Sequence, residues 1–159
     1  MPNWITNKVQ INEINPQKLE NFQNSLLNDE KEVDFEIVAP MPEELKDTVA
    51  PSKIPNKTLL KKYGVDNWYD WSNENWGTKW NASNTIINSD TIIFQTAWNT
   101  PIEYFLKLSK RNLVVEFQVK YADEDIGSNC GILTFLKGEM IDYIDMEDNE
   151  EFALEVIGF

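Results

Sequence analysis

The chain is 159 residues long, with 42% hydrophobic and 12% aromatic side chains, which predicts one folded domain, residues 1–159, with a core of its own. Its mean hydropathy of -0.46 and the lack of a long apolar run exclude a membrane-spanning helix. With no histidine and one cysteine, the chain excludes Ser-His-Asp and Cys-His catalysis, imidazole-held metals, thiolate cages and internal disulfides.

Along the chain, Trp4 to Ile11 alternates, with Ile5, Val9 and Ile11 on one side and Asn7 between them, which is a strand pattern. Asn15 then caps a helix whose first position is Pro16, where a missing N–H does no harm, and Leu19, Phe22 and Leu26 follow at helical spacing. Val33 to Val38 alternates as a short strand, stopped by Ala39-Pro40-Met41-Pro42, since proline cannot donate to a ladder. Residues 43–57 read as a loop. Thr58 to Tyr63 is a short helix ended by Gly64, and Asp66 is placed to cap a second one that carries Trp68 and Trp71 and stops at Gly77. Thr78–Asn88 and Thr91–Trp98 read as a hairpin, which places Trp80 and Trp98 on sheet strands and predicts both as core. Thr100-Pro101-Ile102-Glu103 has the form of a helix start, with Thr100 as cap. Val115 to Tyr121 alternates as a half-buried strand. Ile132–Leu136 and Met140–Met146 form a hairpin around Lys137-Gly138, and Asn149–Ile157 is a short helix.

The resulting order is β-α-insertion-β-β-α-β followed by an acidic hairpin. That is an α+β, ferredoxin-like βαββαβ arrangement, an antiparallel sheet with helices on one face. The insertion spans about residues 30–77 and the acidic C-terminal region about 122–159. The sheet's other face is left for water, a partner or the insertion. On this reading the insertion's tryptophans pin it to that open face.

Residues 67–81 hold four of the six tryptophans among Asn, Asp and Thr. Indole is a large apolar body with one donor that needs a partner when buried, so the segment is either a polar-lined core or a recognition surface. Three stretches carry a resemblance: Met1-Pro2-Asn3-Trp4 with Asn7, Ala39-Pro40-Met41-Pro42-Glu43-Glu44-Leu45, and the strings Asn67-Trp68-Tyr69-Asp70-Trp71 and Trp76-Gly77-Thr78-Lys79-Trp80-Asn81 through Thr96-Ala97-Trp98. They resemble the YubB-type ferredoxin-like domain of phage- and plasmid-borne proteins. The likeness takes in the strand ending Tyr121-Ala122-Asp123-Glu124 and weakens beyond Gly127. It implies a ferredoxin-like fold and a mobile-element setting, and no catalytic chemistry.

The net charge of -13 is uneven. Residues 1–121 carry 16 acids and 13 bases, whereas residues 122–159 carry 11 acids and one base, Lys137. Such a surface opposes phosphate backbones and favours a basic partner, or serves only as a solvated face. Asp123-Glu124-Asp125 and Glu147-Asp148-Asn149-Glu150-Glu151 lack the spacing of a calcium loop, and the six glycines form no phosphate loop. Lys79, between Trp76 and Trp80, is positioned for a cation–π contact, for a lone amine lowered by burial, or for a stem packed on indole.

These residues predict a protein that binds another protein and is not an enzyme, with no cofactor and no metal. The expected partner is a basic host protein, such as a CRISPR effector or another nucleic-acid enzyme that it would inhibit. The expected place is the host cytoplasm, without a signal peptide or membrane contact. Candidate contacts are Trp68, Tyr69, Trp71, Trp76 and Lys79 in the tryptophan segment, and Asp123, Glu124, Asp125, Asp142, Asp145, Glu147 and Asp148 in the acidic one. A sugar- or small-molecule-active enzyme with a Trp- and carboxylate-lined site is the first alternative, and a single-strand nucleic-acid binder the second.

Overall fold

The computed structural model describes residues 1–158, so Phe159 of the C-terminal region lies outside the described residues. The chain order is β1 (Trp4–Ile11), α1 (Pro16–Leu26), α2 (Glu43–Lys46), α3 (Lys57–Tyr63), α4 (Trp68–Asn75), β2 (Ser83–Ile87), β3 (Thr91–Ala97), α5 (Ile102–Arg111), β4 (Phe117–Asp123), β5 (Gly131–Leu136), β6 (Glu139–Asp145) and α6 (Glu150–Gly158). The strands form one six-stranded sheet in the order β2-β3-β1-β4-β5-β6. β1 is central and antiparallel to both neighbours, with Val9 opposite Ile92 of β3 and Val119 of β4. The first four strands are thus the ferredoxin-like core. The β5–β6 hairpin widens the sheet beyond β4 and leaves β6 as an edge. Its turn, Lys137-Gly138, has positive φ at both residues (55° and 80°), the twist a two-residue hairpin needs.

One face of the sheet carries Ile5, Val9, Ile92, Phe94, Phe117, Val119, Leu133 and Phe135, all buried. α1 and α5 pack here: Phe22 lies 5.2 Å from Phe117 between ring centroids, and Phe105 lies 5.5 Å from Phe135. Asn15 caps α1 by accepting from the Gln17 and Lys18 amides, with Pro16 at the first position as expected. Asn7 shares this buried row at no unpaired cost. Its Nδ2 donates to Thr96 Oγ1 at 2.9 Å, and its Oδ1 accepts from Thr100 Oγ1 at 2.7 Å. That bond corrects the expected role of Thr100, which does not cap α5; the N-cap is Pro101, without a side-chain bond.

The insertion packs on this same face, which corrects its expected place on the open one. Phe35 lies 4.1 Å from Tyr104 of α5, and 5.9 and 5.6 Å from Phe94 and Trp76. The opposite face carries Thr6, Lys8, Gln10, Gln95, Gln118, Lys120 and Thr134 with Trp4, Ile93, Ala97, Ala122 and Ile132 between them, a mostly polar mix less suited to burying the insertion's indoles. Part of that polar face is instead covered by α6, whose Phe152, Ala153 and Val156 pack with Ala122 and Cys130.

Residues 33–38 are not a strand. Phe35–Ile37 is a turn of 3-10 helix, and Val33 makes a single bridge to Leu27. The amides that a ladder would use are taken by side chains: Glu36 N–H donates to Asp34 Oδ1, and Phe35 N–H to Asn81 Oδ1. Within the expected loop, Glu43–Lys46 forms one helical turn. The cap of α4 is Asn67 and not Asp66, because the Asn67 side-chain Oδ1 accepts from the Asp70 amide. β2 is shorter than expected, starting only at Ser83, with Asn84 at φ 53° and a shift of register before Ile86.

Candidate protein-binding surfaces

The tryptophan segment divides. Trp71 and Trp76 are buried, which corrects their candidacy as contact residues. They meet edge-to-face at 5.4 Å, and Trp76 Nε1 donates to the Ala39 carbonyl at 2.9 Å, the partner a buried indole requires. Tyr69 lies on the outer side of α4, 45% exposed, in a T-shaped pair 5.8 Å from Trp68, which is half-buried and packs against the core. With Ala50, Pro51 and Asp70 they line a shallow hollow of about 240 Å³. Asp66 anchors the loop beside it. Its carboxyl accepts from Ser52 Oγ, from the Asn56 amide at 2.9 Å and from Asn67 Nδ2 at 3.0 Å, and these bonds hold it below the usual carboxylate range.

Trp80 and Trp98 are not core: they are 41% and 47% exposed, because neither lies on a strand. Trp98 follows the last residue of β3 with φ 68°, a left-handed backbone that bulky residues avoid. It is pinned there by its amide, which donates to Asn3 O at 2.9 Å, and by its carbonyl, which accepts from Asn129 Nδ2 at 3.3 Å. The reversal brings Trp98 and Trp80 together around Lys79, whose Nζ stands 4.2 Å from the Trp80 ring centre and 5.8 Å from that of Trp98. Trp4 completes the group, 6.2 Å from Trp80. The cation–π option for Lys79 therefore holds, with Trp80 and Trp98 as its rings and not Trp76. Reasoning from sequence missed Trp80 and Trp98 as surface residues and Trp4 as their half-buried neighbour. The available signal was Asn99-Thr100-Pro101, which cannot continue β3 beyond Trp98.

The acidic candidates also divide. Asp123 is buried and structural, accepting from Asn3 Nδ2 at 3.2 Å and the Asp125 amide at 2.9 Å, so it is no contact residue. Glu124 Oε1 accepts from the Trp4 amide, and Asp125 Oδ2 from Ser128 Oγ. Both remain at the surface, and Glu124 lies beside Trp4 of the indole cluster. Asp142 and Asp145 lie on β6, which is exposed at every residue except Met140, and Glu147 and Asp148 continue from its end. Ile141, Tyr143 and Ile144 of the same strand are exposed too.

The remaining perturbed groups each have a local cause. Burial pushes the hydroxyl of Tyr104 far up and the thiol of Cys130 up, and it lowers Lys107, whose Nζ donates to Asn75 O. Among the described residues, no cluster of three Asp, Glu or Cys is placed to hold a metal ion. The hollow at Trp68 has a single carboxylate, Asp70, where glycoside hydrolysis needs a facing pair.

Sheet order, helix placement and strand pairing define a ferredoxin-like α+β domain with its charged and aromatic groups displayed on the surface. The chain belongs to the family described as the ferredoxin-like domain in Api92-like protein, whose model matches residues 75–156. The matched stretch runs from the end of α4 into α6, so the acidic hairpin is part of the family's domain. Among solved structures the chain is similar to protein api92 from Yersinia pseudotuberculosis, with a TM-score of 0.49 and 20% identity. The match covers 69% of this chain and 38% of that one, well under half of that protein's length. No curated protein matches. No helix among the described residues is long and apolar enough to cross a membrane.

Proposed function

We propose that this chain acts by binding a basic protein, with no chemistry of its own. In this reading it is the product of a phage or plasmid, working in the host cytoplasm to obstruct a nucleic-acid-handling defence enzyme such as a CRISPR effector. The YubB-type resemblance of the tryptophan strings supports the mobile-element setting. The observation that carries the binding reading is β6: an exposed strand on which Glu139, Asp142 and Asp145 alternate with exposed Ile141, Tyr143 and Ile144, continued by Glu147 and Asp148. Acids of one sign steer a basic partner inward, and apolar side chains hold it once docked. Enzymes that handle nucleic acids present the basic surface this edge complements.

The test is capture from a host lysate with tagged wild-type protein, identification of what is retained, and stopped-flow association at several salt concentrations. The comparison variant carries Asp142→Asn, Asp145→Asn, Glu147→Gln and Asp148→Asn. Amides keep the acceptor that Asp145 Oδ1 offers to the Glu147 amide. Asparagine also suits the left-handed backbone of residue 148, at φ 67°. The fold should therefore survive. Association should slow by roughly tenfold and lose most of its salt dependence. Retention of an acidic partner, or a rate indifferent to the four amides, would refute the proposal.

A further inference from the structure

The sheet has two edges, and they differ. At β2 the edge is short, its register shifts after Ser83, and the insertion lies against it: the Val33 amide donates to Thr85 Oγ1 at 3.0 Å. At β6 the edge is open. Its seven residues pair with β5 on one side, and none of them makes a further backbone hydrogen bond among the described residues. An open edge presents a row of free N–H and C=O groups, which is a template for another strand.

The side chains of β6 decide which strand. Asp142 and Ile144 stand opposite Thr134 and Ile132, on the side of the sheet covered by α6. Tyr143 and Asp145 stand opposite Leu133 and Gly131, on the other side. Each side of the edge thus offers one carboxylate and one apolar group in the last four residues. A second copy of β6 would add a strand of the same sign, with three acids and no base among its seven residues, and so no opposite charge to pair with. Because successive side chains of a strand point to opposite faces, a strand that reads basic-apolar-apolar-basic would meet opposite charge and apolar surface on both sides.

We propose that β6 is a docking edge for an extended basic segment of the partner protein, which adds to the sheet as a seventh, hydrogen-bonded strand next to β6. This rests on the reading of the chain as a binder of basic proteins, and it adds the mode of recognition: main-chain pairing for affinity, alternate side chains for specificity.

The test uses the wild-type chain, 15N-labelled, with two synthetic peptides long enough to span β6. One repeats Lys-Val-Val-Lys, so that lysine and valine fall on both of its faces. The other has the same number of lysines, with proline in place of valine, so it carries the charge but cannot pair. Amide exchange and chemical shifts are followed by NMR. At ten times its Kd the lysine–valine peptide should slow exchange of the β6 amides not bonded to β5 by about tenfold, while the proline peptide should leave them unchanged. If the lysine–valine peptide binds without protecting those amides, strand addition is refuted and the binding of basic proteins stands. If neither peptide binds, both readings fall. Protection of the β6 amides in the protein alone, rising with its concentration, would assign the edge to a second copy and overturn the basic occupant.

Discussion

Trp98 combines an exposed ring with a left-handed backbone, and the two make opposite demands on substitution. At φ 68° a residue with a Cβ carries about 1–2 kcal/mol of strain that glycine does not. Emptying a fully buried tryptophan site costs roughly 3–5 kcal/mol, but with 47% of Trp98 exposed about half that loss applies, roughly 2 kcal/mol. Trp98→Ala keeps the strain and loses the packing, so it should be less stable than wild type by roughly 2 kcal/mol. Trp98→Gly loses the same packing and sheds the strain, so it should lie about 1 kcal/mol above the alanine variant. In a chain of this size that gap is about 2–4 °C in Tm. Ordinarily glycine is the less stable of the two, by about 0.5–1 kcal/mol in a helix or strand, so the expected order is inverted. Urea and thermal unfolding followed by far-UV circular dichroism, which does not depend on the lost indole, measures the order. An alanine variant as stable as the glycine variant, or more so, would refute the strained backbone at this position.

Trp76→Phe should cost about 1–3 kcal/mol in urea unfolding, because the ring can be replaced but the Ala39 carbonyl loses its buried donor. Trp71→Phe, at an indole whose N–H has no such bond among the described residues, should cost less in the same assay. Asp66 predicts an acid limb in stability. Its folded pKa lies below the unfolded value of about 3.9, so its contribution is complete above about pH 4 and is lost as pH falls through the depressed value. Tm measured downward from about pH 5 should therefore fall less steeply in Asp66→Asn than in wild type, and parallel curves would count against the Ser52–Asn56–Asn67 anchorage.

What was legible in the sequence follows the kind of interaction that fixes each element. β1, β4 and β5 bury one side against a common core, so alternation reports them, β6 follows from the Lys137-Gly138 turn, and α1 announces itself by Asn15-Pro16. The stretch around Phe35 alternates as well, yet its amides go to Asp34 and Asn81, and Asn81 is remote in sequence. No local pattern can report a competitor that arrives from elsewhere. The face chosen by the insertion was hidden for the same reason, since it depends on Tyr104 standing under Phe35. At the surface, Asp142 is exposed, but so are its neighbours Ile141 and Tyr143, so alternation does not report a buried side of β6. Asp123, in an equally acidic run, was drawn inward by Asn3 from the far end of the chain. Trp98 was misplaced because strand alternation was carried one residue past the end of β3.

The central position of β1 sets the timing of folding. Its two partners come much later in the chain: Gln10 waits for Thr91, and Ile5 waits for Asp123. At a synthesis rate of 5–20 residues per second, β1 spends roughly 6–24 s outside the ribosome before its second neighbour exists. For most of that interval, until β3 is made, Ile5, Val9 and Ile11 have no sheet to enter, and α1 can offer them only a partial shield. Refolding of the whole chain faces the same long loop closures, so its rate should be limited by the assembly of β1 between strands distant in sequence.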